Sequence, residues 1–585
     1  AATVAEATAT GIAGGKGKDT ITNTISGEID VTANPTSSSA QVSATVEGGF
    51  SQEWSAVIGG AITDGKTDAV STAVGIDAGE DEDTVTNAGK ITITANPDAD
   101  SASVSATLTG TEDGLTAGFS YADTKTTAGT PNSKIARGAG KDLISNIATG
   151  HIDVTANPTS TSADVGVTLS GVTKGTGIVG GAALADGTTR AVSNVAGIKG
   201  DAGDDTITNA GAITVTSNPD ADSASVSVDV GVALGELGLV GGLSYADTET
   251  TAEATAVGID GGTGNDTIAN SGTIKITTGP SVTSASIGVT VEAVKGLGGA
   301  IGAALTDGTT KAVSNAAGID GGGDENSINN SGDITVDSKS TVGSTSVSVD
   351  IVGGKEGAAA GVSYADATTT AEATATGIAD QSGKAAVTHS GTILASSTAV
   401  TGSESVSVSA TGEKTGLAAG VSLADLTTNS SADSYGIDTG EGASIGNDVV
   451  QNLGTVNTDA TSTTTASSVA VTLSAAMTGV TAGVSAAKSD VTATTDAVGV
   501  RTGRGDDFIL NDGIENAEGY SLDSFAHATA SSHTVSVTAS GAWEGVALGA
   551  SLADSNTKAS AAATGIDAGE GGDTVHCSAG TAFKL

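Results

Sequence analysis

The sequence has very little cysteine, methionine, proline or aromatic side chain. Its 585 residues include one Cys, one Met, six Pro, two Trp, five Phe and five Tyr. The single cysteine, Cys577, excludes an intrachain disulfide. Ordinary globular cores depend on large aromatic and aliphatic side chains, whereas the apolar 37% here is mostly Ala, Val and Ile. Because small side chains fill only a narrow interior at close-packed density, the composition predicts the thin core of a stacked-coil protein.

Basic residues are also scarce, with 23 Lys and Arg against 67 Asp and Glu and a net charge of −44. A nucleic-acid partner is therefore not expected, because such a surface needs a basic patch. An acidic surface is compatible with divalent cation binding. No run approaches the ~20 apolar residues of a membrane-spanning helix. Residues 1–8 have no charged region followed by an apolar one, so we expect no signal peptide within this sequence.

Catalytic constellations are missing from the sequence as well. The five histidines are scattered, and no phosphate-binding loop, nucleophile elbow or zinc motif occurs. Paired carboxylates are too frequent in an acidic chain to identify a glycosidase pair. The sequence therefore predicts a protein that is not an enzyme.

A repeat of about 60 residues fills the chain. A Gly-Ile or Gly-Val pair marks most unit starts, and residues 1–585 form a single continuous array whose last unit is truncated. The units start near residues 11, 75, 135, 197, 258, 318, 377, 436, 499 and 565. Such a period is the signature of an architecture in which each repeat stacks on its neighbours.

Polar and apolar residues alternate with a period of two inside the units, as in residues 205–216 and 223–232. This alternation predicts half-buried strands, which Asn-Ala-Gly, Asn-Pro-Asp and Gly-rich turns separate. We therefore predict an all-β fold, a repetitive parallel β-solenoid (β-helix-like) rod of about nine units. The pattern leaves open whether a unit forms three coils of about 20 residues or one wide, flattened coil.

An asparagine recurs about twelve residues after the start of most units. If the units stack in register, these side chains form an internal ladder of amide hydrogen bonds. His389 and Cys577 interrupt the series. The predicted ladder consists of Asn23, Asn87, Asn146, Asn209, Asn270, Asn330, Asn452 and Asn511.

A Gly/Asp turn lies between each unit start and this asparagine. Residues 14–22 and 261–269 fit the nonapeptide G-G-x-G-x-D-x-U-x, which binds Ca²⁺ in stacked turns. Because the motif occurs once per unit and Asn326 and Ala385 replace its Asp, plain solvated turns remain the alternative. The candidate Ca²⁺ ligands are Asp19, Asp83, Asp201, Asp204, Asp205, Asp260, Asp266, Asp320, Asp324, Asp506, Asp507 and Asp573.

A second aspartate series lies eleven residues before the next unit start. These residues either cap a turn through their local backbone or form a ladder of like charges that needs cations. Lys488 interrupts the series. Its members are Asp64, Asp186, Asp247, Asp307, Asp366, Asp425 and Asp554.

Residues 258–274, Gly-Ile-Asp-Gly-Gly-Thr-Gly-Asn-Asp-Thr-Ile-Ala-Asn-Ser-Gly-Thr-Ile, resemble the coil repeats of bacterial autotransporter passengers, filamentous haemagglutinins and large RTX-like calcium-binding adhesins. The resemblance covers about 20 residues of each unit, roughly a third of the chain. It implies a secreted, surface-attached β-solenoid with an adhesive or scaffolding use.

Residues 1–12 match the end of a unit and the chain stops inside another, so we expect no atypical capping unit. Either the sequence is a segment of a longer protein, or subunits join head to tail into an open filament. Our first hypothesis is a structural subunit of an extracellular bacterial filament or sheath that self-associates head to tail. The alternatives are the stalk of a large surface adhesin, or an ice- or polysaccharide-binding surface on Thr-rich segments such as 248–251 and 368–370.

Overall fold

The computed structural model describes residues 2–49, 54–136, 138–380, 383–440, 446–512, 522–577 and 583–584. Within these ranges every helix or strand is a β-strand, and neighbouring strands of successive units pair in parallel. The predicted all-β parallel solenoid is confirmed. No helix in the described part of the chain is long and apolar enough to span a bilayer.

Each unit forms one wide coil with three walls. In the first coil, strand β1 (Ala2–Ala13) leads into the short wall β2 (Thr20–Asn23). The outgoing wall follows as β3 (Glu28–Ala33) and β4 (Thr36–Gly49), and the return wall is β5 (Ser55–Asp77). We call the end of the coil near the short wall proximal, and the end where the outgoing wall turns into the return wall distal.

The next coils repeat this order. Their strands are β6 (Thr84–Asn87), β7 (Lys90–Ala95), β8 (Asp98–Thr111), β9 (Gly114–Ala136), β10 (Leu143–Asn146), β11 (His151–Ala156), β12 (Thr159–Val172), β13 (Thr176–Lys199), β14 (Thr206–Asn209), β15 (Ala212–Ser217), β16 (Asp220–Ala233), β17 (Leu237–Asp260), β18 (Thr267–Asn270) and β19 (Thr273–Thr278). Later walls join into longer strands, namely β20 (Ser281–Asp320), β21 (Asn326–Asn330), β22 (Asp333–Ala379), β23 (Ala385–His389), β24 (Thr392–Asp438), β25 (Val449–Asn452), β26 (Thr455–Arg501), β27 (Phe508–Asn511), β28 (Leu522–Asp567), β29 (Thr574–Cys577) and β30 (Phe583–Lys584).

The strand register settles how many coils a unit makes. Asn23 pairs with Asn87, and Asn87 pairs with Asn146, so each residue lies beside its equivalent one full unit away. A unit is therefore one wide, flattened coil and not three short ones. At about 3.3 Å per residue and about 4.8 Å between strands, the coil is roughly 70 Å wide, and nine coils stack to roughly 43 Å.

The proximal compartment of each coil has an aliphatic core. Inward-facing Ile and Val from the short wall, the start of the outgoing wall and the end of the return wall form one continuous cluster along the stack. Ile91, Ile93, Ile259 and Ile268 are each 0% exposed. Because the three walls converge here, β-branched side chains fill the space between them at close packing.

The distal compartment has the opposite arrangement. Inward-facing Ser and Thr of the outgoing wall are buried, whereas the residues between them point outward and are apolar: Val42 is 76% exposed and Val46 is 75% exposed. The buried hydroxyls donate to carbonyl oxygens of the facing return wall. Examples are Ser105 Oγ to Ala61 O (2.7 Å), Thr168 Oγ1 to Ala182 O (2.8 Å) and Thr472 Oγ1 to Val484 O (2.7 Å).

A column of glycines on the return wall lets the two distal walls approach closely. The same inward position is Gly in all nine coils, and a Cβ at Gly242 would lie 1.8 Å from Glu292 Oε1. Any side chain there would collide with the outgoing wall. The column consists of Gly59, Gly118, Gly181, Gly242, Gly302, Gly361, Gly420, Gly483 and Gly549.

Candidate functional sites: the stacked turns and the acidic column

The Gly/Asp turns connect the return wall to the short wall, and their backbone explains much of the G-x-G pattern. Gly262 and Gly264 have φ values of 99° and 124°, in the left-handed region that favours glycine. Three aspartates occupy the corresponding left-handed positions of other coils: Asp81 (φ 85°), Asp201 (φ 68°) and Asp324 (φ 70°). Aspartate tolerates this conformation better than most residues. Two of the candidate calcium ligands, Asp201 and Asp324, thus stand where the turn requires a left-handed residue.

The last aspartate of the turn forms a ladder along the stack. The Asp19 backbone N–H donates to Asp83 Oδ1 (2.7 Å), and the Asp205 N–H donates to Asp266 Oδ1 (2.8 Å). The same bond joins Asp507 to Asp573 (3.0 Å). Asn326 continues the ladder by accepting the Asp266 N–H (2.8 Å). Burial, the largest cause, and the neighbouring carboxylates raise the pKa of Asp266 to about 7, although the hydrogen bond from the Asp205 N–H lowers it.

The other candidate ligands lie at the edges of the turn. Asp204 and Asp506 are exposed and accept backbone N–H groups of the next coil, from Asn265 (3.0 Å) and Gly572 (2.8 Å). Asp260 ends a return wall and pairs with Lys199 (2.5 Å). Asp320 Oδ1 accepts the Gly322 N–H within its own turn (3.0 Å).

These donors do not make a ready cage for Ca²⁺. A hard cation takes six to eight oxygen ligands, but one oxygen of the ladder carboxylates such as Asp83 and Asp266 already accepts a backbone N–H. Turn carbonyls are engaged too, since Gly15 O accepts the Glu80 N–H (2.9 Å). The described ranges contain no group of three or more His, Cys, Asp or Glu side chains placed to hold a metal ion. Calcium binding stays a prediction.

The asparagines form a column at the end of the short wall, bonded in two separate runs. Asn23 Nδ2 donates to Asn87 Oδ1 (2.8 Å), and Asn87 Nδ2 donates to Asn146 Oδ1 (2.8 Å). The series runs through Asn209 and Asn270 to Asn330 and resumes from Asn452 to Asn511 (2.8 Å). The amides are buried, so these bonds satisfy groups that would otherwise be costly.

His389 takes the place of asparagine in one coil and ends the first run of side-chain bonds. Its Nδ1 accepts a hydrogen bond from Asn330 Nδ2 (3.0 Å), and its Nε2 donates to Thr455 O (3.3 Å). The ring is 0% exposed, and burial lowers the pKa of His389. The imidazole is therefore neutral at pH 7, which the Nδ1 acceptor role requires.

The second aspartate series lies in the middle of the return wall and points outward. Asp64 pairs with Asp123, Asp123 with Asp186, and Asp186 with Asp247, which makes a column of like charges. Burial and these neighbours raise the pKa of Asp186 to about 6. Lys488 interrupts the column, and its Nζ lies 3.4 Å from Asp425 Oδ1.

Tyrosines in alternate coils support this acidic column. Tyr121, Tyr245 and Tyr364 each donate a hydrogen bond to the Asp two residues later, at 3.1, 3.0 and 2.9 Å. Charge-assisted bonds of this kind stabilise the carboxylate.

Sequence reasoning missed a set of buried carboxyl groups in the distal compartment. Asp164, Asp229 and Asp350 are 0% exposed and Glu292 is 1% exposed. Burial raises the pKa of Asp350 to about 8 and that of Asp164 to about 8, and it also raises the pKa values of Asp229 and Glu292. The sequence did carry a signal for these groups: each acid stands at an alternating strand position that holds Ser or Thr in other coils.

No family model, curated protein or solved structure that was compared with this chain matches it. Function therefore has to be argued from the chain's own residues.

Proposed function

We propose that this chain is a structural subunit of an extracellular bacterial filament or sheath, built by head-to-tail stacking of solenoid coils. The observation that carries the proposal is the uniform coil-to-coil interface. The aspartate bonds, the asparagine bonds and the strand pairing all recur at the same lateral positions. One edge of any coil is therefore complementary to the opposite edge of any other.

The turn ladder shows how two copies would join. Its first bond in the described part is the Asp19 N–H to Asp83, and its last is the Asp507 N–H to Asp573. In a stacked pair, the Asp573 N–H of one copy meets the Asp19 carboxylate of the next, and the return wall β28 meets the edge strand β1, which itself pairs with β5. A contact between opposite edges is heterologous and propagates without closing.

The location outside the cell and the adhesive or scaffolding role rest on the resemblance of residues 258–274 to surface β-solenoids. In the adhesin-stalk alternative, the same coils would act as a passive spacer. The Thr-rich binding surface has less support. Thr248, Thr250 and Thr369 are buried inside the coil. Thr368 and Thr370 point outward, but nearby coils have Glu249 in the column of Thr368 and Lys311 in the column of Thr370.

Negative-stain electron microscopy of the purified chain tests the proposal, first with Ca²⁺ and then with a chelator. Stacking predicts ribbons many times longer than the roughly 43 Å of one nine-coil chain. Loss of the ribbons on chelation would assign calcium to the turns. Short separate particles under both conditions would contradict head-to-tail assembly.

A paired variant makes the test specific for the coil edge. Thr8→Pro with Ala9→Pro removes two adjacent backbone N–H groups from the edge strand β1. Successive amides alternate in direction, so one of the two points away from β5, toward the edge where another copy would pair. We expect this variant to stay short. Thr8→Val with Ala9→Ser keeps both amides and should assemble like the unchanged chain.

A further inference from the structure

Part of the outer surface of the distal outgoing wall is aliphatic in every coil. Three neighbouring outward columns run from Val42 to Val535, from Ala44 to Val537 and from Val46 to Ala539. All 27 positions are Val, Ile, Leu or Ala, and no charged or polar residue interrupts them in nine coils. We call this surface the valine face.

The inside of the same wall explains why these residues remain outside. The intervening residues are hydroxyl-bearing and buried, with Ser105 at 0% and Thr107 at 1% exposure. They bond to the return wall, as the Thr107 Oγ1 bond to Phe119 O does (2.6 Å). Turning the valines inward would place branched side chains against the glycine column and leave the hydroxyls without these partners. The valine face is thus fixed outward by the fold.

The valine face is large enough to need a partner. With strands about 4.8 Å apart and alternate residues about 6.6 Å apart, its nine coils and three columns cover about 850 Å². Isolated patches on soluble monomers rarely exceed a few hundred Å². A stable interface buries about 800 Å² on each partner.

We propose that the valine face binds the valine face of a second copy of this chain. The three columns keep an unbroken register through all nine coils, so both copies present rows of small side chains at the same spacing. Val289 lies in the middle column of the fifth coil, at the centre of the face. A two-fold axis that lies in the interface and passes through this point places the valine faces of two copies opposite each other, which gives a closed, isologous contact. Two sheets packed in this way resemble the inner faces of a β-sandwich.

Two observations favour a second copy over a lipid bilayer. The apolar band is about 20 Å across, short of the ~30 Å of a hydrocarbon core. Charges bound it on both sides, with Asp98 and Asp222 toward the proximal end and Lys174 and Glu236 at the distal turn. The return wall is a poorer candidate, because one outward column there contains both Gly60 and Phe119 and its surface is uneven.

Sedimentation velocity of the full chain carrying Thr8→Pro and Ala9→Pro tests this contact apart from end stacking. The expected species has twice the 55.5 kDa mass of one chain. Adding Val167→Lys and Val289→Lys places two charges on the face and should return the mass to that of one chain. Thr161→Lys and Thr283→Lys make the same charge change on the same strands, outside the face, and should leave the pair intact.

Each other outcome overturns the proposal. A single-chain mass before the lysines are added, or a pair that survives Val167→Lys with Val289→Lys, contradicts the valine-face contact. A single-chain mass together with flotation on neutral phosphatidylcholine vesicles assigns the face to lipid. End stacking is judged separately by ribbon length, so either contact can fail while the other holds.

Discussion

The two compartments of each coil use the same alternating strands but place opposite residues inside. In the proximal compartment the Ile and Val positions face inward, and in the distal compartment the Ser and Thr positions do. The difference follows from what lies opposite. Three converging walls leave room for aliphatic side chains, whereas the glycine column lets two walls approach so closely that hydroxyls of one wall reach carbonyl oxygens of the other. Period-two alternation thus specifies a strand but not which of its faces is buried.

Raising the pH should produce the largest difference between the compartments. Asp350, buried in the distal one, has a pKa raised to about 8. Its contribution to stability is fully present below its unfolded pKa of about 4 and is lost as the pH rises through about 8. We expect Asp350→Asn to be the more stable protein at pH 9 by about 6 kcal/mol, because the shift of about four pKa units corresponds to about 1.4 kcal/mol per unit.

Urea unfolding between pH 5 and pH 9, with hydrogen exchange to localise the change, measures this effect. Asp337→Asn alters an exposed residue of the same strand, β22, and is the control. Equal pH profiles for Asp350→Asn and the unchanged chain would show that the buried carboxyl does not govern distal stability.

A second test concerns the narrow distal interior. A Cβ at Gly242 meets Glu292 and Asp229, whereas one at the outward-facing Gly241 meets nothing within 4 Å. We expect Gly242→Val to cost about 3 kcal/mol through overpacking, and Gly241→Val to be neutral or slightly stabilising because valine favours strands. Denaturant midpoints of the two variants provide the comparison. Equal midpoints would mean that the walls can separate without cost.

The same substitution in both compartments tests which strand face is buried in each of them. Val215 is 0% exposed in the proximal core, and Val228 lies on the valine face of the same coil. We expect Val215→Ala to cost about 2 kcal/mol, since it leaves a cavity, and Val228→Ala to cost less than about 0.5 kcal/mol in the unpaired chain. Thermal unfolding in a background that carries Thr8→Pro, Ala9→Pro, Val167→Lys and Val289→Lys keeps both variants unstacked and unpaired. A larger loss of stability for Val228→Ala than for Val215→Ala would mean that Val228 is the buried residue, contrary to the structure.

The smallest expected effect on stability concerns the asparagine column, in which His389 replaces one asparagine. His389 must stay neutral to accept the Asn330 bond, and burial lowers its pKa. Its contribution is present above the unfolded pKa of about 6.5 and is lost as the pH falls through the lower folded value. We expect His389→Asn to gain about 1 kcal/mol over the unchanged chain at pH 5, as measured by melting temperature. His151→Asn, at an exposed position, should change nothing.

Much of the fold could be predicted because its signals repeat. The spacing of the unit starts and the alternation of Ile-Thr-Val-Thr indicated stacked parallel strands, and the recurring asparagine indicated a side-chain column. The single wide coil could not be predicted, because strand length depends on which turns close the coil. The burial of Ser and Thr in the distal compartment could not be predicted either, because Ser and Val alternate along the strand whichever of the two sets faces inward.

The Gly/Asp turn shows how one pattern can have two physical causes. Its glycines are needed for left-handed backbone at positions such as Gly262 and Gly264, and its Asp accepts a backbone N–H from the preceding coil. The same residues in the same order also fit a calcium motif. The sequence alone could not separate these causes, because both place Gly and Asp at identical spacing.

The asparagine column gives the molecule a direction. Each described amide-to-amide bond from Asn23 to Asn330 points its N–H₂ toward the coil that follows in the chain, and the Asp ladder points its backbone N–H groups the same way. The aligned side-chain dipoles add up along the stack instead of cancelling. A ribbon made of such units has two chemically distinct ends, one rich in acceptors and one rich in donors, so subunits would add to each end at a different rate.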